Sequence, residues 1–124
     1  MEIYCCDCEE EVEARLTSGK EIYAHKLNLY KKQFWICDSC KNYVGCHYKS
    51  DTPAKPLGCI PTAQISAARL KIHKVLDPLW KSGKFTRKEV YNKISRQLGY
   101  AYHTGDIRTP LQGHLVMSII KRIQ

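Results

Sequence analysis

Cys5-Cys6-Asp7-Cys8 and Cys37-Asp38-Ser39-Cys40 decide how this sequence is read. Each holds a C-x-x-C pair, and 28 residues separate Cys8 from Cys37. A two-residue gap lets one tight turn aim both sulfurs at a single tetrahedral centre. Two such turns, brought together by a hairpin, close a four-cysteine site. Thiolate softness and tetrahedral geometry select zinc over Mg²⁺ or Ca²⁺. The spacing therefore predicts one structural Zn²⁺ held by Cys5, Cys8, Cys37 and Cys40. Cys6 is an alternative to Cys5, because Cys6-x-Cys8 also fits a turn. A thioredoxin-type redox pair lacks the βαβ context it needs, and nothing else in the sequence suggests the electron transfer of an Fe–S cluster.

Outward from these pairs, the chain divides into two chemistries. It has 124 residues, seven Cys and a formal charge of +8. Residues 1–60 hold all seven cysteines and eight Lys/Arg against nine Asp/Glu, a net of −1. Residues 61–124 hold twelve Lys/Arg against three Asp/Glu, a net of +9. Four thiolates and one Zn²⁺ together add about −2, so the metal-bound front becomes clearly acidic. Composition is 44% apolar and 26% charged, which is globular rather than disordered. The sequence contains no run of 18 apolar residues, so no membrane span is expected. The acidic, cysteine-rich start has neither the basic nor the apolar region of a signal peptide, so a cytoplasmic protein with reduced cysteines is expected.

The front reads as short strands around turns. Glu21–His25, Gln33–Cys37 and Tyr43–His47 have the aromatic and β-branched content strands prefer. Lys26–Lys32 reads as a hairpin end. Asp51–Pro61 carries three Pro and one Gly and reads as the join. The back reads as three helices. The first runs from Thr62 to about Leu76, ended by Asp77-Pro78. Thr86-x-x-Glu89 is a capping box opening a second helix that Gly99 closes. Thr109-Pro110 opens a third, whose apolar face is Leu111, Leu115, Val116, Ile119, Ile120 and Ile123. The expected fold is α+β. A zinc-ribbon-like β unit (1–60) packs on a C-terminal three-helix basic bundle (61–124), read as one composite domain.

Three cysteines and several histidines fall outside the first site. Cys46, His47 and Cys59, with His25 or His73, are candidates for a second metal site. The alternative is two buried thiols and a hydrogen-bonded imidazole. His47, His73 and His103 with Asp106 would suit a metal-assisted nuclease, but they are scattered along the chain without a catalytic motif, so no catalytic residue is assigned.

One longer string carries a resemblance. The first C-x-x-C is followed by Phe34-Trp-Ile-Cys-Asp-Ser-Cys40, Tyr43-Val-Gly-Cys-His47 and Pro56-Leu-Gly58. Ala68-Arg-Leu-Lys-Ile-His73, Asp77-Pro-Leu-Trp80, Arg87, Tyr91 and Leu98-Gly99 come next, with His103-Thr-Gly105 matching weakly. The combined string resembles a family of small bacterial and phage proteins known as a zinc-finger-containing domain of unknown function. The resemblance covers nearly the whole chain. It implies a zinc-binding domain on mobile elements, with Cys5, Cys8, Cys37 and Cys40 as ligands, and it supplies no activity. The doubled Cys5-Cys6 and Tyr102-His-Thr-Gly depart from the family pattern, so it gives Cys6 and His103 no role.

Arg69, Lys71, Lys74, Lys81, Lys84, Arg87, Lys88, Lys93 and Arg96 are opposed only by Asp77 and Glu89 within that segment. Such a surface suits phosphate contacts. Arg87 and Lys88 fall in the first turn of the second helix, where the macrodipole disfavours cations. An anionic partner accounts for them better than helix stability does. The eleven-residue connection from Gly99 to Thr109 is too long for a helix-turn-helix, so base-specific readout has no support. The expected function is a zinc-binding, nucleic-acid-binding accessory or regulatory protein of a phage or mobile element. The competing expectation is a protein-interaction module that docks on and inhibits a host complex.

Overall fold

Hairpins with metal-ligand tips organise the first part of the chain. The computed structural model describes residues 1–47 and 54–123. The chain forms two compact units, Met1–Thr62 and Ala63–Gln124. The architecture is α+β, with antiparallel strands and the clustered cysteines first and helices after.

In the first unit, β1 (Glu2–Cys5) pairs antiparallel with β2 (Glu10–Glu13), setting Ile3 opposite Val12. A second sheet has the order β3-β4-β5: β3 (Arg15–Ser18), β4 (Gln33–Ile36) and β5 (Tyr43–Gly45), all antiparallel. Side chains alternate across each strand, so Ile3 and Cys5 of β1 and Phe34 and Ile36 of β4 are buried. Ile3, Cys5, Ala14, Cys37, Val44 and Ile60 form one core cluster. Two metal-ligand candidates are thus themselves core residues.

The strand expected at Glu21–His25 is not formed. Gly19–Ile22 is a single helical turn, α1, and Leu27–Leu29 a 3-10 turn, both within the connection from β3 to β4. The true partner of β4 is the polar segment Arg15–Ser18. An edge strand needs little apolar content, whereas the central β4 needs much. The Tyr23 ring serves packing instead, edge-on to Phe34 and Tyr43 at 5.7 Å from each, with its hydroxyl 2.6 Å from that of Tyr43.

The proline-containing join also differs from expectation. Residues 51–53 lie outside the described residues, but 54–60 are woven into the first unit rather than spanning open solvent. His47 N–H donates to the Lys55 carbonyl at 2.8 Å, and Leu57 N–H to that of Gly45 at 2.9 Å. Ile60 lies parallel to Cys5, donating to Tyr4 and accepting from Cys6.

The second unit is three helices: α2 (Ala63–Lys81), α3 (Arg87–Leu98) and α4 (Pro110–Ile123), with a 3-10 turn at Thr104–Asp106. Helix α2 does not stop at Asp77-Pro78. Pro78 lies inside it and is exposed, and its carbonyl accepts from Ser82 N–H at 3.0 Å. The missing N–H costs a helix interior ~3 kcal/mol. Leu79, one residue past the proline, is buried on the same stripe as Ile72 and Leu76, and its burial, about 1.5–3 kcal/mol, offsets most of that cost. Helix α3 begins at the expected cap: Glu89 N–H donates to the Thr86 hydroxyl at 3.1 Å. The Glu89 carboxylate accepts from that same hydroxyl at 3.2 Å, rather than from the Thr86 N–H. Gly99 closes the helix with φ +85°. On α4, Val116, Ile119 and Ile120 are buried as expected, but Leu111 and Leu115 face solvent.

Gly19 shows how tightly the β3–β4 connection is folded. A Cβ there would lie 1.7 Å from the Leu29 carbonyl oxygen and 2.4 Å from its carbon. Backbone cannot rotate away, so Gly19→Ala is expected to destabilise the first unit by ~3 kcal/mol. Gly99→Ala, whose Cβ meets nothing within 4 Å, should cost only the left-handed penalty of ~1 kcal/mol. Denaturant unfolding followed at Trp35 in a Trp80→Phe background reads the first change, and circular dichroism the second. A Gly19→Ala protein as stable as the wild type would refute the close approach.

Candidate metal centre

The two C-x-x-C pairs occupy equivalent places. Cys5 ends β1 and Cys8 precedes β2, while Cys37 follows β4 and Cys40 precedes β5. Each pair is the tip of an antiparallel hairpin, and each tip is built alike. Glu9 N–H donates to the Cys5 carbonyl at 2.8 Å, and Lys41 N–H to the Cys37 carbonyl at 2.7 Å. The donor residues, one past the second cysteine of each pair, both take left-handed backbone conformations, with φ +56° at Glu9 and +66° at Lys41. That conformation turns the chain back into its hairpin and leaves both sulfurs on one side.

The four sulfurs converge. Cys5 Sγ lies 3.5 Å from Cys40 Sγ, and Cys8 Sγ 3.7 Å from Cys37 Sγ. All four lie within 4.8 Å of one another. A regular tetrahedron with metal–sulfur bonds of 2.3 Å has edges of about 3.8 Å, so donor type, number and spacing all fit a tetrahedral thiolate ion. Cys6 is left outside this group: β1 points Cys5 inward, and Cys6 N–H instead ties Ile60 to the sheet.

Backbone N–H groups support the sulfurs. Burial pushes the Cys37 thiol up, but N–H donors from Cys40 and Ser39 outweigh it, and the group sits below its ordinary value. Cys40 is raised, chiefly by burial, against the Asn42 N–H. Cys8 is pushed up to about 12, first by its hydrogen bond to the Cys37 thiol and then by that to Cys5. Four thiolates this close repel one another, so full ionisation requires a cation among them.

Arg15 braces the second tip. Its guanidinium meets the Asp38 carboxylate at 2.9 and 3.0 Å and the Glu21 carboxylate at 2.9 and 3.1 Å. Asp38 lies between Cys37 and Cys40, so Arg15 links β3 and α1 to the ligand turn. Arg15 first, and Thr17 second, hold Glu21 down to about 2.

Among the described residues, no other three Cys, His, Asp or Glu side chains bring ligand atoms together in this way. The candidate second site of Cys46, His47 and Cys59 is therefore not assembled. Cys46 is a half-buried free thiol whose backbone pairs opposite Pro56, His47 is exposed, and Cys59 is buried. His25 is exposed too. In the second unit, His73 Nδ1 is 3.5 Å from Asp77 of the same helix, and His103 and Asp106 line a cavity of about 100 Å³.

Of the nine cations singled out, Lys71, Lys74, Lys81, Lys84, Arg87, Lys88, Lys93 and Arg96 are exposed. Arg69 is the exception. It is half-buried and donates to the Ile107 carbonyl at 2.8 Å, a structural role. Its place between Ile65 and Ile72 on the apolar stripe was the available signal. Sequence reasoning missed an aromatic cluster as well. Arg87 lies over Tyr91 at 5.0 Å and Trp80 at 5.8 Å, and Lys93 over Phe85 at 4.3 Å.

Two hairpin tips presenting four convergent thiols define a four-cysteine zinc-finger type of metal-binding protein. The chain belongs to the zinc-finger-containing domain family, whose profile matches residues 1–122. No curated protein and no solved structure matches it. No helix among the described residues is long and apolar enough to cross a membrane.

Serine at Cys5, Cys8, Cys37 or Cys40 should reduce bound metal well below the expected ratio of about one ion per chain. Serine at Cys6, Cys46 or Cys59 should leave that ratio unchanged, and elemental analysis decides. Loading the metal-free protein should release roughly three to four protons per ion near neutral pH, because the thiols must ionise. An indicator dye reads this, and affinity should fall as pH falls. Glycine at Glu9 or Lys41 removes the left-handed penalty and should stabilise the metal-bound unit by ~1 kcal/mol.

Proposed function

We propose that the resident metal is Zn²⁺ and that the second unit binds nucleic acid through its cationic α2–α3 surface. The ion's contribution is structural: it cross-links two hairpin tips distant in sequence. Thiolate donors favour Zn²⁺ over hard cations, and a four-cysteine set without an open position suits a structural ion rather than a catalytic one.

The observation that carries the nucleic-acid reading is a set of exposed cations that no carboxylate neutralises. Lys81, Lys84, Lys88, Lys93 and Arg96 are exposed and take part in no ion pair among the described residues. The one acid of α3, Glu89, is engaged at its own N-cap. Lys93 and Arg87 lie over aromatic rings, which gives the surface π faces beside its charges. Such a surface fits phosphates and stacked bases of either DNA or RNA without base-specific readout. The family resemblance adds the phage or mobile-element setting, in which this surface would serve an accessory or regulatory role on nucleic acid.

Fluorescence anisotropy with labelled duplex and single-stranded oligonucleotides tests it. Binding should weaken steeply between 50 and 200 mM salt, with a log–log slope near −4 for about four to five phosphate contacts. Lys84→Glu, Lys88→Glu and Lys93→Glu together should flatten that slope by about 2 to 3, with metal content unchanged. No binding to either oligonucleotide at 50 mM salt would sink the proposal.

A further inference from the structure

A second surface of the helical unit has different chemistry. Between α2 and α4 runs an open groove of about 760 Å³. Its lining is mostly apolar and small: Ala67, Ala68, Val75 and Gly113, with Met117 and the exposed Leu70 beside them. Gly113 and Ala68 face each other across it with little side chain between them, since a Cβ at 113 would lie in ordinary contact with the Ala68 Cβ at 3.5 Å. Lys71, Lys74 and Lys121 stand along it with His114, and no acidic residue lines it.

We infer that this groove is a docking site for an acidic amphipathic helix of a partner protein. Three physical arguments select that occupant. First, both walls are helices, whose backbone groups are already paired within themselves, so an extended peptide would find no sheet edge to join and would bury unsatisfied N–H and C=O groups. A helix satisfies its own backbone and can lay an apolar stripe into the groove. Second, a phosphodiester backbone gains nothing from an apolar floor and would lose hydration there. Third, a second copy of this chain would bring the same three lysines against their equivalents, at a cost in like-charge repulsion. The lining runs from Gln64 to Val75 on α2, about 17 Å or three helical turns. A partner helix of that length would place Leu or Phe anchors over the Ala67, Ala68 and Gly113 floor. Its flanking Glu and Asp residues would face Lys71, Lys74 and Lys121.

Selection from a displayed library of about 16-residue helical peptides against the intact, metal-loaded protein tests this. Enriched sequences should combine apolar residues at i, i+3 or i+4, and i+7 with acidic flanks. Anisotropy with one synthesised winner should show binding weakened roughly tenfold or more by Lys71→Glu, Lys74→Glu and Lys121→Glu together. Ala67→Trp, at an exposed position where a bulky ring obstructs the groove without disturbing the core, should weaken it to a similar degree. Lys84→Glu, Lys88→Glu and Lys93→Glu should change peptide binding less than twofold. Any of four results would overturn the inference. These are a library yielding no acidic helical sequences, binding that survives Ala67→Trp, binding that follows the α3 charges, and sedimentation showing a dimer that Ala67→Trp dissolves.

Discussion

The convergence of four sulfurs from two hairpin tips is the constraint on which the first unit depends. Cys5 and Cys37 are core residues as well as candidate ligands, and the remaining core cluster is small: Ile3, Ala14, Val44 and Ile60. Burying those four, with Phe34 and Ile36 of β4, contributes on the order of 10 kcal/mol, far below the ~1 kcal/mol or more per residue that ordering the unit's backbone costs. A structural ion contributes on the order of 10 kcal/mol of apparent folding free energy. That gain is set against an electrostatic cost. Glu9, Glu10, Glu11 and Glu13 crowd the first hairpin, and four thiolates with one divalent ion add about −2 beside them. With the cation in place, the left-handed strain at Glu9 and Lys41, of order 1–2 kcal/mol each, becomes affordable.

The second unit solves the same problem by other means. Its core is aliphatic, from Ile65, Ile72, Leu76 and Leu79 on α2 to Val90 and Ile94 on α3 and Val116, Ile119 and Ile120 on α4. Arg69 enters that core region because its guanidinium reaches the Ile107 carbonyl and so holds the segment leading into α4. Tyr102 is buried against Tyr91, with its hydroxyl 2.7 Å from that of Thr104. A polar latch therefore closes the long α3–α4 connection, whose length argued against a helix-turn-helix.

What could be read directly from sequence was whatever depends on local geometry. The C-x-x-C spacing, the Thr86–Glu89 cap, Gly99 as a left-handed terminator and Pro110 at the start of α4 each act within a few residues, and each appears in the structure. Most departures come from distant partners. β3 is polar, and only its pairing with the aromatic β4 makes it a strand. β2 is glutamate-rich and becomes a strand because Ile3 and Val12 must meet. Pro78 should end a helix on local grounds, yet burial of Leu79 carries α2 through it. Arg69 is the exception, since its position between Ile65 and Ile72 marks it locally as lying on the apolar stripe. Residues 54–60 read as a linker because Pro and Gly suppress regular structure locally, whereas backbone bonds to Gly45, His47 and Tyr4 recruit them into the first unit.

Charge is distributed against the interest of folding, and that carries information. A net of +9 on residues 61–124 destabilises the compact unit through self-repulsion. Arg87 and Lys88 in the first turn of α3 oppose its macrodipole. Simple exchange of lysine for glutamate at exposed sites would relieve both costs without touching the core. The cations moreover fall on two surfaces of different character. Those around α3 stand beside aromatic rings, while Lys71, Lys74 and Lys121 border an apolar groove. A uniform solvated lysine coat would not sort itself in this way. The two anionic partners proposed above, one able to stack and one able to bury aliphatic side chains, would account for both the excess of charge and its division.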